Sequence, residues 1–190
     1  MNLGEAKARA LSLMSEYSID GSEISESENA DYLNRMSRFA SDAQMEIADK
    51  LGVNAVIEYT ASGSSDSGYQ HFPLPDDFRE LRKVTKNGEH FTDYSIDFRY
   101  FTLRKSEVGT FELFYFKNPQ ELTADTPDTY EFEVPKHAHT LIPYFVAAMA
   151  ITEEKPSIGD RLLNIYFSRL GAISKKNDVF LDEIKIVYRM

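Results

Sequence analysis

The apolar run TLIPYFVAAMAI, residues 140–151, limits the possible folds more than any other part of the chain. From Leu141 to Ile151 it is apolar on nearly every side of a helix, and such a helix must be buried within a core or against other subunits. It is far shorter than the roughly 20 apolar residues that span a bilayer. Pro143 marks either a kink in this helix or its first turn. The sequence therefore predicts a buried helix in a globular protein that does not enter a membrane.

Three further segments have helical patterns. Gly4 to Glu16 is rich in Ala, Leu and Met and lacks proline. Asn29 to Leu51 is amphipathic, and its apolar residues recur at spacings of three and four. Those residues are Tyr32, Met36, Phe39, Ala43 and Ile47. A last helix is predicted from Ile158 to Ser174, after a break at Pro156.

Between these helical segments the pattern is that of β-strands. Strands are predicted at residues 53–60, 80–86, 97–104, 110–117 and 130–134. Asn87-Gly88 predicts a two-residue hairpin turn, because both residues tolerate positive φ. The stretch FELFYF, residues 111–116, is too apolar for a strand edge that faces water, so we expect a central strand or an interface.

The order of these segments predicts an α+β fold, in which an antiparallel β-domain is inserted into an α-helical bundle. We expect the helical domain to comprise residues 1–52 and 135–190, and the β-domain residues 53–134. A length of 190 residues suits one domain with such an insertion. The last stretch, DVFLDEIKIVYRM, fits helical spacing and strand alternation equally well, so its conformation stays open.

Composition excludes several kinds of site. Because the chain has no cysteine, it has no disulfide and no thiolate metal site. Its net charge of −10 argues against tight nucleic-acid binding, which needs a dense basic face. An acidic wall that repels phosphate nevertheless suits a conduit through which DNA slides. The N-terminal stretch lacks the layout of a signal peptide, so we expect a soluble protein that is not secreted by that route.

The candidates for catalytic chemistry are weak. Asp76 and Asp77 are adjacent, so their side chains point opposite ways on an extended chain, whereas a glycosidase-type pair must face one substrate. They suit a turn instead. His137 and His139 lie at a helix entrance without a third ligand at a suitable spacing, which indicates solvated histidines and not a metal pair. Catalytic and nucleotide-binding motifs are also absent. We therefore expect no enzymatic activity, no cofactor and no metal.

Several short motifs follow one another in the order found in a known family. An amphipathic long helix precedes LPDDF at 74–78, which is followed by a strand with an Asn-Gly hairpin. FELFYFKNP at 111–119, VPKHAHTLIPYFVAAMA at 134–150 and YFSRL at 166–170 come next. This pattern, from about residue 29 to 173, resembles the head–tail connector adaptors of tailed bacteriophages, including the tail tubular protein A-like adaptors.

The resemblance implies a structural protein of the virion, made in the cytoplasm of the host bacterium. Such adaptors form a ring, usually of twelve copies, below the portal protein; they join the capsid to the tail and line the channel through which DNA passes without sequence-specific binding. The expected partners are the portal protein, a tail, stopper or nozzle protein, and further copies of the chain. The alternatives are a tail-completion or stopper protein, a peptide- or ligand-binding module that uses the FELFYF surface, and an enzyme with a site in the β part.

The resemblance and the apolar patterning together give three candidate interaction surfaces. A portal-docking arm, which inserts as a helix or an added strand or else packs on its own core, comprises Val179, Phe180, Leu181, Ile184, Ile186, Val187 and Tyr188. A tail-facing hairpin comprises Lys86, Asn87, Gly88 and Glu89. A subunit interface comprises Tyr144, Phe145, Ala148 and Phe114.

Overall fold

A computed structural model describes the backbone of residues 1–14, 30–63 and 68–187, and the side chains of these residues except 30, 31 and 175–187. The chain divides into two compact units. The helical unit consists of Met1–Gly52 with Pro119–Met190, and the β unit of Val53–Asn118. This arrangement confirms the predicted α+β fold, with an antiparallel β-domain inserted into a helical one.

The helical unit contains four helices in its described residues. They are α1 (Leu3–Leu13), α2 (Ala30–Leu51), α3 (Ile142–Ile151) and α4 (Pro156–Val187), and a 3₁₀ helix, Lys136–Leu141, leads into α3. Asn2 caps α1 by accepting a hydrogen bond from the Glu5 N–H at 2.8 Å, and the Glu5 carboxylate accepts one from the Asn2 N–H. The capping box explains why α1 begins at the N-terminal end of the predicted segment.

The apolar run forms the centre of the helical core. Helix α3 packs against α1, α2 and α4. Most of its residues are buried, namely Ile142, Pro143, Val146, Ala147, Ala148, Ala150 and Ile151. Pro143 lies in the first turn, where its missing N–H needs no partner, so it marks the helix start and not a kink. Most of the run is therefore buried within a single chain.

The connection from α3 to α4 is tight. The Thr152 hydroxyl donates to the Ala148 carbonyl oxygen at 2.6 Å, as α3 ends. A Cβ atom at Gly159 would collide with the Thr152 hydroxyl, so only glycine permits this approach of the two helices.

In its described residues, 53–63 and 68–118, the β unit contains seven strands in two antiparallel sheets. They are β1 (Asn54–Ala61), β2 (Tyr69–Pro73), β3 (Phe78–Lys86), β4 (Glu89–His90), β5 (Ser95–Asp97), β6 (Tyr100–Arg104) and β7 (Gly109–Lys117). One sheet has the order β1-β7-β3-β4 and the other β2-β6-β5. FELFYF lies on β7 between β1 and β3, which confirms the expectation of a central strand.

Alternating residues of these strands form the core of the β unit. The buried cluster comprises Ala61, Val84, Phe101, Leu103, Phe111 and Leu113. Phe101 and Phe111 belong to different sheets, and their ring centroids are 6.1 Å apart. The intervening residues of β7 face the other side of the sheet.

Residues 119–134 differ from the prediction, which placed them in the β-domain and a strand at 130–134. They cluster with the helical unit and contain only an isolated bridge, between Glu131 and Asn2. Two buried side chains of α2 satisfy their backbone: Ser41 Oγ accepts from the Leu122 N–H at 2.9 Å, and Gln44 Oε1 from the Glu133 N–H at 2.8 Å. The contacts therefore place the boundary of the β unit at Asn118.

The predicted strand at 97–104 is interrupted by a turn at Phe98 and Arg99, which separates β5 from β6. Phe98 has a φ of 57°, and its side chain is fully exposed. Left-handed backbone costs a residue with a Cβ atom roughly 1–2 kcal/mol, and this exposed side chain offers no packing to offset it. The turn is therefore a strained point of the β unit.

Phe98→Gly is expected to raise the free energy of unfolding by about 0.5–1 kcal/mol, because glycine relieves the strain at a smaller entropic cost in the unfolded chain. Urea titration measures the change, and Phe98→Asn should give a similar gain because asparagine tolerates this conformation. A loss of stability in both variants would contradict the strained turn.

Candidate functional site

The predicted hairpin is present and firmly attached to β7. Asn87 and Gly88 have φ values of 50° and 87°, which confirms the two-residue turn. The Asn87 N–H donates to the Thr110 carbonyl at 2.9 Å, and Asn87 Oδ1 accepts from the Thr110 N–H at 3.1 Å. Lys86 Nζ lies 2.7 Å from Glu107 Oε2, so this lysine supports the hairpin. The exposed tip consists of Asn87, Gly88 and Glu89.

Ala148 does not fit the predicted subunit interface. It is fully buried against its own helical unit, so it has no surface to offer another copy. An apolar helix of this kind can be buried in the core of its own chain or against another subunit, and Ala148 is buried in the core of its own chain.

Tyr144 and Phe145 are partly exposed and stay candidates for the interface. The Arg169 guanidinium lies 4.7 Å from the Tyr144 ring centroid, and the Phe145 ring packs 5.1 Å from that of Tyr166. Met149, one turn beyond Phe145, is 38% exposed. Phe145 and Met149 therefore form an apolar stripe on α3 that the chain leaves partly uncovered.

Phe114 lies on the outer face of the four-stranded sheet. Its neighbours in the register are Val56 on β1 and Lys83 on β3. Lys83 Nζ is 5.8 Å from the Phe114 ring centroid, and the Arg82 guanidinium is 4.4 Å from that of Phe116. This partial cover by cationic side chains was not predicted. The sequence indicates such cationic cover only through the adjacent basic residues Arg82 and Lys83. The strand register is needed to place these side chains over the rings of Phe116 and Phe114.

The described part of the predicted arm is helical. Helix α4 continues to Val187, so the backbone at Val179, Phe180, Leu181, Ile184, Ile186 and Val187 is that of a helix, although their side chains lie outside the description. Tyr188 lies outside the described residues. The conformation left open by the sequence is thus helical as far as Val187.

Asp76 and Asp77 form the turn that leads into β3. The Phe78 N–H donates to the Pro75 carbonyl at 3.0 Å, and the Asp77 carbonyl accepts from the Asn118 N–H at 2.8 Å. Asp77 Oδ1 accepts from the Tyr115 hydroxyl at 3.1 Å. Burial, reinforced by the Asp77 carboxylate, raises the pKa of Tyr115 to about 12. Asp77 is thus held by structural contacts, and the exposed Asp76 carboxylate lies 3.6 Å from the Arg99 guanidinium.

The two histidines separate in the structure. His137 is exposed as expected, but His139 is buried, which corrects the prediction for that residue. The terminal ammonium of Met1 lies 3.2 Å from His139 Nδ1, and Nε2 lies 2.8 Å from the Val134 carbonyl. Because the Val134 carbonyl oxygen can only accept, Nε2 carries the proton. Burial lowers the His139 pKa. Across the side chains described, no three metal-ligating groups lie together.

Comparison with known proteins gives one family. The model of the SU10 adaptor protein family matches residues 1–178, which include the whole β unit and end just before the predicted arm. No curated protein matches the chain. None of the described helices is long and apolar enough to span a membrane. The chain therefore belongs to the SU10 adaptor family of phage head–tail adaptors and has the role of a structural adaptor.

Proposed function

We propose that this protein forms a ring below the portal protein, joins the capsid to the tail, and lines the channel through which DNA passes. The observation that carries the proposal is the family match, which extends over both the helical and the β unit. The ring has twelve copies and is part of the virion, after synthesis in the host cytoplasm. The protein acts through its surfaces, without catalysis or a cofactor.

The charge of the chain supports a channel lining. A net charge of −10 in each copy gives a ring of strongly negative potential. Such a wall repels the phosphates of DNA and limits their adhesion during passage. Sequence-specific binding is not required of this role.

Contacts between copies are assigned to partly exposed apolar side chains. A closed ring needs two different surfaces on each copy, which meet across a heterologous interface. We assign Tyr144, Phe145 and the neighbouring Met149 to one of them, and Phe114 to the other. The partial exposure of these side chains in the single chain supports the assignment.

Contacts with other virion proteins are assigned to two surfaces, the C-terminal part of α4 and the tip of the hairpin. The C-terminal part of α4, residues 179–187, together with Tyr188, is assigned to the portal protein. The hairpin tip, Asn87 to Glu89, is assigned to the tail, stopper or nozzle protein. Its exposure and rigid attachment to β7 support this role.

Cryo-electron microscopy of the protein mixed with the portal protein of the same phage tests the proposal. We expect a ring on the portal with an axial opening wide enough for duplex DNA. A variant that lacks residues 177–190 is expected to fold but not to bind the portal. If the full-length protein stays monomeric and ignores the portal, the proposed ring is wrong. If the shortened form binds as well as the full-length protein, the arm is wrong and the ring survives.

A further inference from the structure

Strand β1 has an unpaired edge. Among the strands that the structure describes it pairs only with β7, and the Lys117 N–H donates to the Val53 carbonyl at 2.9 Å. Hydrogen-bonded pairs alternate along an antiparallel ladder, so this bond fixes the pattern for the whole strand. The residues that bond to β7 are Ala55, Ile57, Tyr59 and Ala61. The residues whose N–H and C=O groups point away from β7 are Asn54, Val56, Glu58 and Thr60.

The free edge is accessible. Within the described chain, no backbone group pairs with the outward N–H and C=O groups of β1. The side chains of all four outward residues are exposed, and that of Val56 is 53% exposed. Ile57 and Tyr59 are only partly buried although they face the core. An added strand would satisfy the backbone groups and cover these side chains at the same time.

The other described strand edges are protected in ways that β1 is not. The register of β3 is irregular between Phe78 and Glu80 and between Leu81 and Lys83, and bulges and charged side chains of this kind discourage strand addition. Strand β2 ends at Pro73, and β4 and β5 have two and three residues. Strand β1 has eight residues in regular register, no proline, and Glu58 as its single charge. Proteins rarely leave such an edge open without a partner.

We propose that the β1 edge accepts an extended strand from the tail-side protein that attaches next to this adaptor, an inference that rests on the proposed function. The incoming strand has apolar residues at alternate positions, which cover Ile57 and Tyr59, and a lysine or arginine beside Glu58. A second copy is the less suitable source. Pairing of two β1 strands is two-fold and stops at two copies, and the remaining described edges are blunted.

Val56→Pro removes one outward N–H and places the proline ring in the path of an added strand. It spares the ladder to β7, because the Val56 N–H points away from that strand, and proline is tolerated on such an edge. Val56→Thr is the matched control, since it keeps the N–H and a β-branched side chain. Circular dichroism and thermal melting establish that each variant is folded.

The assay adds purified protein to an extract of cells infected with a phage that lacks this gene. Wild type and Val56→Thr are expected to restore infectious particles. Val56→Pro is expected to restore about 100-fold fewer, with heads that carry the adaptor but no tail protein under the electron microscope. Normal tail attachment by folded Val56→Pro would overturn the inference. A folded Val56→Pro that does not assemble on the portal would also overturn it, because β1 would then be a contact between copies.

Two further readouts keep the inference testable if Val56→Pro does not fold. Glu58→Lys leaves the ladder intact and is expected to reduce tail attachment about tenfold, by repelling the basic residue of the incoming strand.

In the isolated protein the amides of Val56, Glu58 and Thr60 should exchange quickly and those of Ala55, Ile57 and Tyr59 slowly, and the fast set should become protected after tail attachment. If Glu58→Lys has no effect and no protection appears, the inference is wrong. If wild type leaves the heads without adaptor, the proposed function itself fails and the inference with it.

Discussion

Ala148→Glu is expected to destabilise the helical unit strongly. Ala148 is fully buried on α3, the helix that contacts α1, α2 and α4. A carboxylate placed there without a partner costs about 3–5 kcal/mol, which is a large part of the 5–15 kcal/mol that typically stabilises a domain. Helical circular dichroism and amide exchange in α3 measure the loss. The loss should be smaller at acid pH, since burial raises the pKa of the introduced carboxyl and its neutral form is cheaper to bury.

Met149→Glu is the matched control for this variant. Met149 is the next residue of the same helix, but it is 38% exposed, so its carboxylate stays hydrated. We expect a change in stability of less than about 1 kcal/mol. Equal losses in the two variants would contradict the assignment of the buried face. If Met149→Glu folds but forms no ring on the portal, the apolar stripe of Phe145 and Met149 gains direct support as a contact between copies.

The same two residues show how far the sequence determines the helical unit. The composition of residues 140–151 predicts that the helix is buried, because nearly every side of it is apolar and its exposure to water is unfavourable. It does not distinguish an intramolecular core from an intersubunit contact, because both are apolar environments. The prediction of burial was confirmed, and the assignment of Ala148 to an interface was wrong for this reason.

In the β unit, the sequence predicted those elements whose conformation depends on neighbouring residues alone. Asn87-Gly88 predicted its turn because the two residues themselves favour positive φ. The break at Phe98 was missed, because a phenylalanine in left-handed backbone has no turn signature. Residues 130–134 alternate like a strand, but the N–H groups of Leu122 and Glu133 donate to Ser41 and Gln44 of α2, and such distant partners leave no local pattern.

The candidate surfaces depend even more on long-range arrangement. The exposed edge of β1 follows from its place at the end of the strand order and from its register with β7. Neither can be read from the sequence NAVIEYTA, which would suit a central strand as well. His139 gives a similar lesson, since its local sequence does not show that the ring is buried and hydrogen-bonded to the Val134 carbonyl.

Phe101→Ala is expected to destabilise the β unit by about 3–5 kcal/mol. Phe101 is fully buried on β6, and its ring lies 5.7–6.2 Å from the rings of Tyr59, Phe72, Tyr94 and Phe111. Its removal leaves a cavity between the two sheets that these neighbours cannot fill without leaving their rotamers. Chemical denaturation followed by amide exchange in β6 and β7 measures the loss. Because the helical unit has its own core, the amides of α3 should keep more of their protection than those of β7.

Tyr100→Ala provides the control, one residue away on the same strand. Tyr100 faces the opposite side of the sheet and is 48% exposed, and its ring contact is with His71 at 6.1 Å. Its truncation opens no buried cavity, so we expect a loss of less than about 1 kcal/mol. A comparable loss in the two variants would mean that Phe101 does not join the sheets as described. A large loss from Phe101→Ala that also removes protection from α3 would mean that the two units unfold together, even though each has a separate core.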